Sequence, residues 1–280
     1  MSGLRYTLLV FASRAVPGLL VLALVAAATD GEAQRRGRFG SGLRMATAED
    51  FDGAFHFCRV AFRSGRGDGG SWGVDYPQAD SHLSIRLSDL TKVRVSFDAS
   101  KEPNHLIVRL TDDELFQCPF VMMTEVGAAY LDETEAARLR EYLLKGGFLW
   151  ADDFWGTYAW RSWEQQIRQV FPSSEYPIVD LAPDHPIFRS HFVVKRVPQI
   201  PSINFWIGSG GGTSERGGDS AVPTMRAILN ADDRVMVLMT HNTDLGDSWE
   251  RETEDPNYFY HFAVDGYAVG INVVLYAMTH

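Results

Sequence analysis

The chain carries two hydrophobic rhythms. Residues Ala54–Phe62 alternate and are rich in Phe and Val, which predicts a strand. Leu83, Leu87 and Leu90 recur at helical spacing, so Gln78–Leu90 is predicted as a helix, with Pro77 at its start where a missing N–H costs nothing. Val93–Phe97 and His105–Leu110 read as further strands. Pro119–Thr124 is a continuous apolar run of the kind buried on both faces. Asp132 with Glu135 three residues later is a capping-box pattern. It opens a helix to Lys145, with Ala136, Leu139 and Leu143 on one face and Gly146-Gly147 as its stop. Phe148–Ala151 is a second apolar strand, ending in Asp152-Asp153. Strand, helix and strand with short connections make a βαβ unit, so the sheet is expected to be parallel here. A helix is expected over Ser162–Val170, irregular chain over Pro172–Pro186, and strands over Ile203–Ile207 and Val235–Thr240. The last 20 residues read as a helix in which Phe262, Gly266, Gly270 and Val274 form a ridge of mostly small residues for close packing. Asp265 and Asn272 interrupt it, against a membrane span.

The first residues follow neither rhythm. Arg5 and Arg14 are the only charges before Asp30, and every residue from Ala15 to Ala28 is apolar, Pro or Gly. A positive region, a short apolar region and small residues predict a signal peptide, cleaved after Ala28 or after Ala33. A membrane span needs about 20 apolar residues, so an uncleaved anchor is the alternative. The expected organisation is a signal peptide over 1–33, a basic linker over 34–50 and one domain over 51–280, in a protein that is exported, periplasmic or secreted.

The 280 residues carry 36 Asp and Glu against 26 Lys and Arg, a net charge of −10. Apolar residues make up 45% and charged residues 22%, which excludes a disordered chain, a collagen and a polytopic membrane protein. The acidic balance argues against nucleic acid as a partner. Membrane contact is expected only if the N-terminus stays uncleaved. Export permits a disulfide between Cys58 and Cys118, but they fall on separate predicted strands, and two buried free thiols are expected.

Ligands of open parallel sheets sit beyond the carboxyl ends of the strands. Three such ends are polar: Thr124-Glu125, Asp152-Asp153, and His241-Asn242 with Asp244 nearby. His185 lies on a loop that could reach them, and Trp155, Trp160 and Trp163 follow the Asp pair. The candidate ligand-binding residues are therefore Glu125, Asp152, Asp153, Trp155, His185, His241, Asn242 and Asp244. Asp153, His185 and His241 are the candidates for acid–base catalysis. These residue types also suit a divalent ion, but no metal site and no cofactor are assigned. The competing reading makes Asp153 a cap or an ion-pair partner, His185 a turn residue, His241 a satisfied packing residue and the tryptophans core. Gly208–Gly218 lacks the Gly-Lys-Ser/Thr ending of a phosphate loop and reads as a surface loop.

The strings Asp113-Glu114-Leu115-Phe116, Leu139-Arg140-Glu141-Tyr142-Leu143, Gly146-Gly147-Phe148-Leu149, Asp152-Asp153-Phe154, Asp184-His185-Pro186-Ile187-Phe188 and Gly266–Ala277 occur in that order. With Trp72-Gly73-Val74-Asp75-Tyr76-Pro77 before them, they resemble the bacterial domain of unknown function 4159 family over Phe51–His280. The resemblance implies an α/β three-layer sandwich with a mainly parallel sheet, flavodoxin-like or class I glutamine amidotransferase-like. It also implies envelope partners such as MoxR-type ATPases and von Willebrand A-domain proteins. Amidotransferase chemistry needs a Cys on the turn after a buried strand. The turn after Pro119–Thr124 holds Glu125-Val126-Gly127, and Cys118 lies before that strand. Three functions follow as expectations: a ligand- or protein-binding module of the envelope, a hydrolase of a carbohydrate-like or envelope substrate using an Asp/His crevice, or a membrane-anchored structural component.

Overall fold

The computed structural model describes residues 44–65 and 67–280. The expected signal peptide and most of the expected linker lie outside the described residues. Met45–His280 form one unit.

Nine strands form. They are β1 (Phe57–Val60), β2 (Arg63–Ser64), β3 (His105–Val108), β4 (Val121–Thr124), β5 (Ala129–Tyr130), β6 (Leu149–Asp152), β7 (Ile178–Asp180), β8 (Thr224–Leu229) and β9 (Val235–His241). β2 and β5 make a small separate ribbon. The other seven make one sheet in the order β3-β1-β4-β6-β9-β8-β7. From β3 to β9 the strands are parallel, and β8 and β7 are antiparallel additions at one edge. The five parallel strands, numbered among themselves along the chain, run 2-1-3-4-5, so the chain reverses direction across the sheet between β1 and β4.

The main helices are α1 (Gln78–Leu90), α2 (Glu133–Leu144), α3 (Gly156–Val170), α4 (Ile203–Gly208), α5 (Leu245–Glu250) and α6 (Val264–Thr279). α1, α5 and α6 pack on one another, as do α2 and α3. Phe57, Met122 and Trp150 of the sheet share a buried core with Leu83 and Leu87 of α1, Trp249 of α5 and Val273 of α6. Alternate strand positions turn the other way. Val121, Met123, Leu149 and Ala151 there are buried, as are Leu139, Leu143, Trp163 and Ile167 of α2 and α3. The result is a helix–sheet–helix α/β architecture, as the pattern predicts.

Local chemistry sets the element ends. Asp132 accepts from the Glu135 amide at 2.9 Å while the Glu135 carboxylate accepts from the Asp132 amide at 2.9 Å, the expected capping box. Gly146, at φ 107°, ends α2. The closing helix is long and apolar enough to cross a membrane, yet it is mostly buried within the domain. A π-helical turn over Phe259–Ala263 precedes α6. A Cβ on Gly266 would lie 2.0 Å from Ser248 Oγ, and one on Gly270 2.8 Å from both Leu83 and Trp249, so the small-residue ridge lets α6 press against α1 and α5. Asn272, fully buried on α6, accepts from the amides of His191 and Phe192 and donates to the Phe192 carbonyl, which pins that loop.

Four expectations change. Cys58 and Cys118 are bonded to each other rather than free, with Cα atoms 6.2 Å apart, because β1 and β4 are neighbours in the sheet. Ile203–Ile207 is helix instead of strand: Pro201 precedes it and the Ser202 side chain caps the Phe205 amide. Val93–Phe97 makes only single bridges, Phe55 with Val95 and Phe97 with Pro103. The stretch Pro172–Pro186, expected to be irregular, contains β7, which pairs with β8.

Candidate functional site

Several turns beyond the sheet share an uncommon backbone. Glu125 follows β4, Asp153 follows β6, Asn242 follows β9, and Asp75 follows the glycine-rich loop 67–73 that leads into α1. All four sit in the left-handed region, at φ 54°, 54°, 63° and 62°. Such residues collect at ligand sites, where the surroundings fix a backbone that is otherwise unfavourable.

The loop to Asp75 is held by a buried ion pair. The Arg59 guanidinium of β1 donates from Nε to both carboxylate oxygens of Asp80 at 3.0 Å and makes a further short bond from Nη2. Its Nη1 donates to the carbonyls of Trp72 and Val74 at 3.3 and 3.1 Å. Arg59 and Asp80 are both fully buried. The guanidinium therefore ties the loop carrying Asp75 to the first turns of α1.

Asp75, Asp153 and Asp244 come together. One carboxylate oxygen from each lies within 4.8 Å of the others, and all three residues are buried. Asp75 belongs to a second such group with Asp247 and Glu250. Burial, the largest influence, and the surrounding carboxylates hold Asp75, Asp153 and Asp244 well above the usual carboxylate range. Their hydrogen bonds are few. Asp153 Oδ1 accepts from Trp155 Nε1 at 3.0 Å, and Asp244 Oδ1 accepts from the Asp247 amide at 2.8 Å as the cap of α5. Asp75 Oδ2 is buried without a partner. Among the described residues no salt bridge reaches any of the three, and both close groups of ligand-type side chains are carboxylates alone.

The other sequence candidates divide. Asp152 turns to the α1–α6 face, where it accepts from the amides of Leu245 and Gly246 at 2.9 and 3.3 Å and from the Thr240 hydroxyl. It fastens α5 to β6, and burial pushes its carboxyl up to about 7. Glu125 lies under the glycine-rich loop: a Cβ on Gly69 would lie 2.3 Å from Glu125 Oε2. It stands near Asp153 as a further negative charge.

Neither histidine joins the carboxylate group. The His185 ring accepts from the Ile187 amide and lies 5.5 Å from the Tyr276 ring. The Tyr276 hydroxyl meets the Val235 amide where β9 begins, so His185 is at the opposite end of the sheet from the carboxylates. His241 lies between Phe154 and Trp160, with ring centroids at 4.9 and 5.2 Å, and Nε2 is 3.0 Å from the Gly156 carbonyl. Burial pulls its pKa down to about 4, so it is neutral at physiological pH. Asn242 accepts from the Gly156 amide and donates to the Val222 carbonyl, which makes it a clamp between loops. Trp155 orients Asp153, Trp163 is core, and Trp160 lies between Phe154 and the Arg226 guanidinium. They do not form an open aromatic platform.

Asp75, Asp247 and Glu250 are the acids that sequence reasoning missed. Asp75 was visible inside the Trp72–Pro77 string, but it follows no apolar strand directly, and only the fold brings its loop back to the strand ends.

These features define an α/β domain with a mainly parallel sheet and a buried cluster of carboxylates beyond the carboxyl ends of its parallel strands, with Glu125 at the turn after β4 and both cysteines in a disulfide. The chain belongs to the family described as Domain of unknown function (DUF4159), whose model matches residues 56–278. No curated protein matches the chain at a significant level.

Proposed function

We propose that this protein is an exported ligand-binding module of flavodoxin-like, amidotransferase-like topology, which holds a positively charged group in its acidic crevice and performs no nucleophilic chemistry. The observation that carries this reading is the meeting of Asp75, Asp153 and Asp244 with no imidazole or thiol among them. A hydrolase of the Asp/His type needs base and acid within reach of one water. Here His185 and His241 are engaged elsewhere, in a turn and in aromatic packing. The 2-1-3-4-5 strand order supports the topology, because ligands of such sheets sit at the carboxyl ends near the reversal. The Cys58–Cys118 disulfide supports export, since such bonds persist in oxidising compartments.

Rescue of a deletion strain tests the proposal. Wild type and His241→Gln are expected to reverse the deletion phenotype, while the double variant Asp75→Asn/Asp153→Asn fails to do so although it is exported and folded. Loss of rescue by His241→Gln with the fold intact would favour the hydrolase, and full rescue by the double variant would overturn the binding reading.

A further inference from the structure

We infer that Asp75, Asp153 and Asp244 form a binding site for a hard divalent cation of the Ca²⁺, Mn²⁺ or Mg²⁺ type, which deepens the binding reading above and rests on it.

The spacing fits one ion. Oxygen ligands sit about 2.1–2.6 Å from such cations, so two ligands of a single Ca²⁺ ion are at most about 5 Å apart. The three carboxylate oxygens lie within 4.8 Å of one another. The donors are all carboxylate oxygens, which suits hard cations over Zn²⁺ or Cu²⁺ with their preference for imidazole and thiolate.

A second observation is independent of the clustering. Asp75 Oδ2 is buried, on a residue only 7% exposed, and has no hydrogen-bond partner. Buried carboxylate oxygens are normally satisfied, because leaving one bare is costly. This one faces the open side of Gly246, where an added Cβ would lie 2.3 Å from it and 3.5 Å from Asp244 Oδ1. The absence of a side chain at Gly246 thus lets the Asp75 carboxylate lie close against α5, beside the Asp244 cap. Arg59, the guanidinium whose charge acts on Asp75, is already committed to Asp80 and to the carbonyls of Trp72 and Val74. A cation would supply the missing partner and offset the repulsion among the three acids. Asp247 and Glu250, grouped around the same Asp75, stand as an adjoining set of oxygens.

The test uses the full, disulfide-bonded protein after chelator treatment and dialysis. Ca²⁺, Mn²⁺ and Mg²⁺ are titrated separately by calorimetry and by thermal unfolding. At least one ion is expected to bind saturably and raise the melting temperature, with affinity lowered tenfold or more in Asp75→Asn and in Asp153→Asn. Gly246→Ala is expected to lower it similarly by displacing the Asp75 carboxylate, and Asp184→Asn, an exposed acid beside His185 at the opposite end of the sheet, to stay within about threefold of wild type. Should the Asn variants fail to fold, Tb³⁺ on the wild type gives a second readout. Trp155 Nε1 is 3.0 Å from Asp153 Oδ1, so tryptophan excitation should produce Tb³⁺ luminescence that Ca²⁺ quenches by competition. No saturable binding of any of the three ions up to about 10 mM, or binding unchanged in folded Asp75→Asn and Asp153→Asn, would overturn the cation site. If ions fail to bind while the double Asn variant still loses rescue, the crevice takes another cationic group and the function proposed above survives. If an ion binds through these residues while that variant rescues fully, the cation site stands and the proposed function falls.

Discussion

At the scale of single residues, Arg59 and Asp80 show how the interior holds the loop that carries Asp75. Removing one member of a fully buried ion pair leaves the other charge bare, at a cost of about 3–5 kcal/mol. Asp80→Ala is therefore expected to destabilise the fold by that amount in urea unfolding, and a loss below about 1 kcal/mol would show the guanidinium finding other partners. His241 makes a second prediction. Its folded-state pKa of about 4 lies below the ordinary value near 6.5, so the unfolded chain takes up this proton first. The stabilisation from the neutral ring is complete above pH 6.5 and is lost as pH falls towards 4. The stability advantage of wild type over His241→Gln should shrink by ~1.4 kcal/mol per pH unit across that window. A difference independent of pH would show that the ring is not held neutral. Measuring the difference between the two proteins cancels the opposing contribution of buried acids with raised pKa. Much of the site was legible at this scale, because Asp153 and Asp244 follow apolar strands and strand ends are where α/β sheets bind. Asp75 was not, since its place depends on a loop folding back under Arg59. His185 and His241 were misplaced because a sequence shows that a ring is near a strand end without showing which face it takes or which end of the sheet its loop reaches.

At the scale of elements, periodicity worked where one face of a helix or both faces of a strand are buried. α1, α2, β4, β6 and β9 appear within a few residues of their predicted bounds. It failed for the edge strand β7 and its neighbour β8, both only partly buried, whose residues include Thr224, Arg226 and Asp180. There an antiparallel pairing, rather than hydrophobic pattern, makes the strand. α5 was missed for a related reason: it is six residues long, and the tertiary bonds from Asp152 to its first amides hold it in place. The glycine ridge of α6 was legible and gives a sharp expectation. Ala in place of Gly gains about 1 kcal/mol of helix propensity, but overpacking a filled core costs about 1–3 kcal/mol. At Gly270 the new Cβ would lie 2.8 Å from the fully buried Trp249 ring, so the steric cost should win. Gly270→Ala is expected to lower the urea midpoint. A stabilised variant would mean that α6 and α5 can separate slightly at no cost.

At the scale of the whole molecule, the disulfide links the two strands where the chain reverses across the sheet. Cys58 lies on β1, and Cys118 precedes its neighbour β4 after a separation of 60 residues that includes α1, β3 and the loop carrying Asp75. Closing a loop of that length removes conformational entropy from the unfolded chain worth roughly 4 kcal/mol at 25 °C in the chain-entropy treatment. The folded state needs no crosslink to bring these strands together, since β1 and β4 already pair in the sheet and the surrounding core is buried on both faces. Reduction should therefore lower stability without abolishing the fold. The double variant Cys58→Ala/Cys118→Ala is expected to unfold at a lower urea concentration, by a few kcal/mol, while keeping its near-ultraviolet circular dichroism. Reduced wild type should match it. The carboxylates gather beyond the carboxyl ends of the strands, whereas Cys118 precedes the amino end of β4, so cation affinity in the folded double variant should change little. If the double variant were as stable as the oxidised protein, the unfolded chain would already be compact around this loop, and the sheet alone would account for the order of the crevice.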